Sequence, residues 1–372
     1  MKVFTAVGEA SGDALAADVV DALRANGDLT VVGLAGPQLR QQGVTTLFDI
    51  SELSIMGLSA VLGRLPQLVR RVYQTVDAVV RERPDVLLLV DSPDFTHAVA
   101  KRVRKRVPNL PIVDYVCPSV WAWRQGRARE MASFIDHVLA ILPFEPRLLK
   151  ELGGPSATYV GHPLGALDEC AAAPLPDVPT LVVLPGSRRS ETTRLLPIFR
   201  DTLSVLRERG VAFDAIMPTV GHLRAEIDGA IADWSVRPTV VDALPRGESF
   251  IGAQAALAAS GTVSLELAMR DVPMVLAYKL DPVARQARSL IRTWSIALPN
   301  HVADRVVVPE NVEEYARPER LARQVQDLLT DTPVRRAQLD GLAAVRRAIR
   351  SEQRPAEVAA AIIDRLAREG RR

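Results

Sequence analysis

The run Ser260-Gly261-Thr262-Val263-Ser264-Leu265-Glu266 combines residue types suited to gripping a nucleotide sugar. Small residues at a loop entering a helix leave backbone N–H groups open to an anion, and a glutamate about one turn inside can accept from a ribose diol. An ordinary helix start, with Ser or Thr as N-cap and Glu complementing the dipole, would use the same residues. A second anion-compatible loop is Gly186-Ser187-Arg188, where small residues permit close backbone approach and Arg188 supplies a fixed charge with several donors. Near the start, Gly8 and Gly12 stand where a dinucleotide fold would place G-x-G-x-x-G, but Glu9 and Asp13 among them would repel a pyrophosphate. No P-loop signature occurs.

A carboxylate at the end of a very apolar strand opens onto a cleft and can act as a general base. Asp91-Ser92-Pro93-Asp94-Phe95 follows the apolar run Val86 to Val90, and Asp94 is the candidate base; Asp91 is read instead as a cap of a helix starting near Thr96. The spacing differs from the Asp-x-Asp metal clamp, and the five histidines, 97, 137, 162, 222 and 301, form no metal spacing, so no metal is expected. Cys117 and Cys170 lie far apart without C-x-x-C spacing, which suggests neither a disulfide framework nor a zinc site and fits a reducing cytoplasm.

These residues need a scaffold, and short apolar runs alternating with helical patterns read as βαβ construction. Strands are expected at Lys2 to Val7, Thr30 to Leu34, Val86 to Val90, Ile112 to Val116 and Val138 to Ile141. After an Ala/Pro/Asp-rich linker, they resume at Thr180 to Leu184, Phe213 to Met217, Thr239 to Val241, Ala255 to Ala258 and Met274 to Ala277. The fold class is α/β, with two doubly wound halves facing across a cleft. The domain boundaries are 1–168 and 179–340, with C-terminal helices in 341–372 that could cross back to the first domain or exchange with a second subunit. A chain of 372 residues exceeds what one core usually organises. The net charge of +2 is too balanced to argue for nucleic acid, and no stretch approaches the roughly 20 apolar residues of a membrane-spanning helix. Phosphate-compatible loops in the second half and carboxylates in the first suggest a donor nucleotide in one domain and an acceptor deprotonated by the other.

At this point a resemblance emerges. Gly8-Glu9-Ala10-Ser11-Gly12-Asp13, Ser54-Ile55-Met56-Gly57-Leu58, Asp91-Ser92-Pro93-Asp94-Phe95, Pro118-Ser119-Val120-Trp121-Ala122-Trp123-Arg124, Leu142-Pro143-Phe144-Glu145 and Val160-Gly161-His162-Pro163 are similar, in order and spacing, to motifs of the lipid-A-disaccharide synthase family. So are Leu184-Pro185-Gly186-Ser187-Arg188 with Glu191, Ser260-Gly261-Thr262 with Glu266, Tyr278-Lys279 and Leu298-Pro299-Asn300, and the likeness spans about residues 1 to 311. The resemblance implies an inverting glycosyltransferase of GT-B fold that condenses UDP-2,3-diacylglucosamine with 2,3-diacylglucosamine 1-phosphate (lipid X), without cofactor or metal. It implies Asp94 as base with Glu9 as rival, Asn300 at an active-site position, Arg188 and Gly186-Ser187 at the pyrophosphate, and Ser260, Gly261, Thr262 and Glu266 at the nucleoside. Further substrate contacts are implied at Gly8, Ser11, Met56, Trp123, Arg124, Tyr278 and Arg305.

Leu53, Ile55, Met56, Leu58, Val61, Leu62 and Leu65, followed by Arg70 and Arg71, form an apolar segment that could dip into an anionic bilayer or line an acyl pocket. A buried core helix is the alternative. The expected partners are therefore acylated glucosamine substrates and the inner surface of the cytoplasmic membrane, with no nucleic acid. Asn311-Val312-Glu313 departs from the Leu-Leu-Gln usual in the family, and a carboxylate replacing an amide loses donors and would weaken phosphate or carbonyl contacts. Two other readings remain: a GT-B epimerase or transferase acting on UDP-N-acetylglucosamine, and an inactive membrane-associated paralogue.

Overall fold

The computed structural model describes residues 1–53, 58–167, 172–280, 285 and 293–370, and for 58–64, 245 and 246 the backbone alone. The chain forms two compact units, Met1–Pro163 with Ser351–Arg372, and Leu164–Arg350. The segment 341–372 is thus shared. Helix Pro333–Ile349 belongs to the second unit, and helix Pro355–Glu369 returns to the first.

Unit 1 is built on parallel strands β1 (Lys2–Val7), β2 (Thr30–Leu34), β3 (Val86–Val90), β4 (Ile112–Tyr115), β5 (His137–Ala140) and β6 (Ser156–Tyr159), in the order β2-β1-β3-β4-β5-β6. Central β3 reads Val-Leu-Leu-Leu-Val and is buried on both faces, as a parallel strand covered by helices requires. On one face lie α1 (Ala10–Ala25) and the helix Pro355–Glu369, which meet through Ala16, Ala17, Ala356, Ala359 and Ala360, side chains small enough for close approach. The opposite face is covered by α3 (Leu58–Glu82) and α4 (Pro93–Arg106), through Val72, Val76, Val79, Phe95, Val99 and Val103. Short helices α2 (Pro37–Gln41), α5 (Gly126–Met131) and α6 (Glu145–Glu151) complete the unit.

Unit 2 repeats the plan with β7 (Thr180–Leu184), β8 (Asp214–Thr219), β9 (Thr239–Asp242), β10 (Ala255–Ala259), β11 (Met274–Tyr278) and β12 (Glu310–Val312), in the order β12-β11-β10-β7-β8-β9, all parallel. Its helices include α7 (Arg189–Glu208), α8 (Arg224–Ala230), α9 (Val263–Met269) and the segments Leu298–Ala303 and Pro318–Leu329. Leu195, Phe199, Leu203 and Leu206 of α7 join Leu321, Val325 and Leu328 over the sheet.

Two doubly wound sheets match the expected architecture, with corrections at the margins. Both β6 and β12 escaped the reading of apolar runs: Ser-Ala-Thr-Tyr and Glu-Asn-Val are short, polar edge strands with no continuous buried face. Helix α4 begins at Pro93 rather than Thr96, and its N-cap, Ser92, makes no side-chain cap bond, so neither Asp91 nor Asp94 caps it. In each sheet the chain order reverses once, between β1 and β3 and between β7 and β10, and ligands of open α/β sheets bind at the carboxyl ends of such a switch point.

Asp13 is structural. Its buried carboxylate accepts N–H groups from Gly36 at 2.8 Å, Gln38 at 2.7 Å and Leu39 at 3.4 Å, at the start of α2. A β-carbon on Gly36 would lie 2.6 Å from that carboxyl group, which explains the glycine. Asp13→Ala should lower the unfolding free energy in urea by roughly 2–4 kcal/mol, and Asp13→Asn by less because one acceptor remains.

Candidate active site

At the β1/β3 switch point two exit loops touch. A β-carbon on Gly8 would lie 2.2 Å from that of Ser92, and one on Gly12 would lie 3.2 Å from Asp91 Cβ and the Val90 carbonyl oxygen. Gly8 and Gly12 therefore admit the β3 loop rather than a phosphate. That loop turns sharply, with Asp91 at φ 58° and Ser92 at φ 46°, a pair of left-handed residues that non-glycine side chains seldom adopt. The Asp91 carboxylate accepts the Ser92 N–H at 2.7 Å and the Ser11 hydroxyl at 3.3 Å, while Ser92 Oγ donates to Glu9 at 3.4 Å. Ser11 is thereby engaged in holding the loop, and Glu9 stands exposed at the mouth of α1.

Asp94 sits in the first turn of α4 with its side chain 78% exposed. Arg127 of α5 donates to it, and Arg124 lies 3.6 Å away. Arg124 is itself left-handed, at φ 51°, and its guanidinium lies 4.3 Å from the centre of the exposed Trp123 ring. Such a cation–π contact orients more than it stabilises at an exposed site. Trp121 meets Phe144 edge-on, with ring centres 6.2 Å apart. The structure thus holds Glu9, Ser11, Asp94, Trp123 and Arg124 within unit 1, with Arg127 of the same Trp-Arg run at Asp94, and adds Ser92. Ser92 gave no sequence signal, whereas the Arg124-x-x-Arg127 spacing at a helix start was a readable one.

In unit 2, Gly186 has φ 115° and its missing β-carbon would lie 2.5 Å from a Glu191 carboxylate oxygen. Glu191 folds back to accept the Ser187 N–H at 3.1 Å and lies 3.4 Å from Arg188. The Ser187 N–H, expected to be open to an anion, is already occupied. Arg188 keeps its side chain 58% exposed. In the second loop, the Ser260 N–H bonds the Ala277 carbonyl oxygen in the sheet and Ser260 Oγ donates to the Ile296 carbonyl oxygen at 2.8 Å, which leaves Gly261 and Thr262 exposed ahead of α9. Half-buried Glu266 accepts the Gly247 N–H, and burial pushes its carboxyl above the usual range against the pull of that donor.

Asn300 is fully buried. Its carbonyl oxygen accepts the N–H groups of Val307 at 2.7 Å and Val308 at 2.8 Å, and its amide nitrogen donates to Ser295 Oγ at 3.2 Å and the Val308 carbonyl oxygen at 3.1 Å. Both ends of the amide therefore brace unit 2. Arg305 is exposed, Tyr278 ends β11 half-buried, and Met56 lies outside the described residues. Glu313, suspected of disturbing substrate contacts, is buried and accepts the Leu280 N–H at 2.6 Å, so its carboxylate faces inward. Among the described residues, no group of three or more His, Cys, Asp and Glu side chains could hold a metal ion.

Asn300→Ala should lower the urea unfolding free energy by roughly 2–4 kcal/mol, because two buried N–H groups lose their acceptor. Unchanged stability would release Asn300 for a role at a substrate.

A family model described as Lipid-A-disaccharide synthetase matches residues 3–363. The Lipid-A-disaccharide synthase of Nitrobacter winogradskyi is 48% identical over 382 residues, covering 100% of this chain and 96% of that protein. The enzyme of the same name from Rhodospirillum centenum is 40% identical, covering 93% and 89%. Among solved structures, CalG4, the calicheamicin glycosyltransferase, superposes with a TM-score of 0.65 at 15% identity, covering 99% of this chain and 98% of that one. The S. aureus MnaA-UDP co-structure gives 0.63 at 14%, covering 99% and 96%. At such low identity these two speak for the fold alone, which is GT-B with two Rossmann-like domains. With a family model matched along nearly its whole length and relatives this similar, the chain belongs to the lipid-A-disaccharide synthetase family, glycosyltransferases of lipid A biosynthesis.

Proposed function

We propose that the protein transfers the diacylglucosaminyl group of UDP-2,3-diacylglucosamine to the primary hydroxyl of 2,3-diacylglucosamine 1-phosphate, releasing UDP and a β-1,6-linked tetraacylated disaccharide 1-phosphate. Asp94 takes the hydroxyl proton, the freed oxygen bonds to the anomeric carbon, and the bond from that carbon to the diphosphate breaks with its electron pair leaving on UDP. A single displacement of this kind inverts the anomeric centre. Arg188 offsets the charge developing on the diphosphate, and the Gly261-Thr262 turn before α9 offers N–H groups to the same end. No metal enters the scheme. The observation that carries it is the exposed Asp94 carboxylate, oriented by Arg127 and Arg124 at a switch-point loop. Glu9, tied through Ser92, is the rival base.

The acyl chains of both substrates bring the protein to the inner face of the cytoplasmic membrane. Leu65, Val69 and Tyr73 are 48%, 43% and 52% exposed, and their four-residue spacing puts them on one face of α3. Arg102 lies over the Tyr73 ring, and Arg70 is exposed nearby in sequence, a pairing of apolar and cationic groups suited to an anionic lipid surface. Leu53 is half-buried against the unit 1 core, and the rest of the apolar segment lies outside the described side chains. No helix among the described residues is long and apolar enough to cross a membrane.

Purified protein incubated with both acylated substrates and EDTA should form disaccharide and UDP by mass spectrometry. Asp94→Ala should cut kcat by at least about 100-fold, the scale of a lost general base. An active variant would transfer the role to Glu9, and a silent wild type would favour UDP-N-acetylglucosamine as the sugar donor. In a separate measurement, replacing Leu65, Val69 and Tyr73 with serine should reduce co-sedimentation with vesicles containing anionic phospholipid; undiminished binding would remove α3 from the membrane contact.

A further inference from the structure

Glu310 has no part in the scheme above, yet it closes a chain of hydrogen bonds that ends at the proposed nucleotide turn. It is the first residue of β12, at the edge of the unit 2 sheet. Ser260 follows the end of β10, two strand spacings or about 10 Å away across β11. Residues 295–297 span that gap. The Ile296 N–H donates to one Glu310 carboxylate oxygen at 2.5 Å, and the Ser295 hydroxyl donates to the other at 2.9 Å. On the far side the Ile296 carbonyl oxygen accepts the Ser260 hydroxyl at 2.8 Å. Ile296 is thus held by its N–H from β12 and by its carbonyl from the turn. The Asn300 amide fixes the same corner, 3.2 Å from Ser295 Oγ and 3.5 Å from Glu310.

We propose that Glu310 is a positioning residue for the donor diphosphate: its carboxylate fixes Ile296, Ile296 fixes Ser260, and Ser260 sets the direction of the Gly261 and Thr262 N–H groups. The inference rests on the reading of that turn given above. Ser260 is already tied into the sheet by its N–H, which donates to the Ala277 carbonyl oxygen at 3.2 Å. A turn that only joined β10 to α9 would need no second tether, because water satisfies a serine hydroxyl in a half-exposed loop. The second tether instead removes the rotation left by the first, immediately before two exposed residues. Its strength comes from Glu310, since bonds to a charged acceptor are roughly twice as strong as neutral ones. Such stiffness matters for N–H groups that meet a phosphate, where a misplacement of about 1 Å costs on the order of 100-fold in rate.

UDP is the probe, since its binding needs neither acyl chains nor transfer. Its affinity would be measured by titration calorimetry for the intact protein, Glu310→Ala, Glu310→Gln, Ser260→Ala and the double variant of Glu310→Ala with Ser260→Ala. Deuterium exchange of the 258–264 amides would be followed in each. Glu310→Ala leaves the Ile296 N–H without its acceptor and should weaken UDP binding at least about tenfold, with donor KM raised and acceptor KM unmoved. Glu310→Gln keeps a carbonyl oxygen for that N–H and should bind within about threefold of the intact protein. Both single alanine variants break one chain of bonds, so the double variant should be no more than about twofold weaker than the weaker single. Exchange at 258–264 should rise in Glu310→Ala and Ser260→Ala but not in Glu310→Gln. Gln338→Ala separates positioning from stability. Its side chain accepts the Met274 N–H at 2.6 Å and donates to the Met274 carbonyl oxygen at 3.2 Å, at the opposite end of β11. It should lower Tm and leave UDP binding intact. An equal loss of UDP binding in Gln338→Ala, losses that multiply in the double variant, or unchanged binding in Glu310→Ala would each overturn the proposal. If Glu310→Ala fails to fold, Glu310→Asp withdraws the carboxylate by one methylene and should show the weakened binding; unaltered affinity there overturns the proposal as well. Should the intact protein bind no UDP, the nucleotide reading fails on its own. Exchange at 258–264 then still decides the link from Glu310 to Ser260: a rise in Glu310→Ala that Glu310→Gln lacks supports it, and no rise overturns it.

Discussion

Gly8 and Ser92 approach so closely that no side chain fits on the first, and the carboxyl edge of unit 1 is arranged around that contact. The pairing of Val7 with Val90 brings the β1 and β3 exits side by side, at a strand spacing of about 4.8 Å. Neither loop can then bulge toward the other. One solution is a glycine on β1 and a tight left-handed turn at Asp91-Ser92 on β3, costing on the order of 1–3 kcal/mol per residue. The Ser92 N–H and the Ser11 hydroxyl, both bonded to Asp91, offset part of that cost. The turn also delivers Pro93 directly into the first position of α4, where its fixed φ suits a helix start and its missing N–H costs nothing. Asp94 is next in line, and it points outward because the chain has already turned.

A common device recurs through both units: a carboxylate turned inward to accept loop N–H groups. Asp13 does so for Gly36 and Gln38, Asp136 for Ile112, Glu145 for Leu142, Glu191 for Ser187, Glu310 for Ile296 and Glu313 for Leu280. Parallel sheets need it, since every strand must be left and re-entered through loops whose N–H groups lie near the protein interior. Hydrogen bonds to charged acceptors are roughly twice as strong as neutral ones, so one acid can hold several loop residues at once.

That device also marks where sequence reading stops. The central strands were legible because Val, Leu and Ala runs buried on both faces admit few other structures, whereas the two switch points depend on which strands pair, which no run records. The exposed position of Asp94 was legible because it lies just beyond such a run, at the start of the next helix. Asp13 and Glu191 were not separable from surface or ligand-facing acids by type or spacing, since the direction of a carboxylate depends on which loop N–H groups the fold leaves nearby. Asn300 illustrates the same limit: an amide in a Leu-Pro-Asn turn looks available, but Val307, Val308 and Ser295 reach it through a chain path no local pattern records. The departure at Asn311-Val312-Glu313 is likewise absorbed internally, through Leu276 and Gln324 for Asn311 and Leu280 for Glu313.

The charged groups left facing outward are then the informative ones. Asp94 and Arg188 keep side-chain exposures of 78% and 58% while pairing with Arg127 and Glu191 respectively. Exposed pairs of this kind contribute only about 0–1 kcal/mol, too little to explain the backbone strain and glycine requirements around them as devices for stability. Their weakness is the useful property. A pair that orients a carboxylate or a guanidinium without desolvating it can be exchanged for a substrate hydroxyl or phosphate at small cost, whereas the buried acids could not be exposed without losing several loop N–H bonds together. Division of labour between inward and outward charges thus lets each sheet edge stay rigid while leaving a charged group open to solvent.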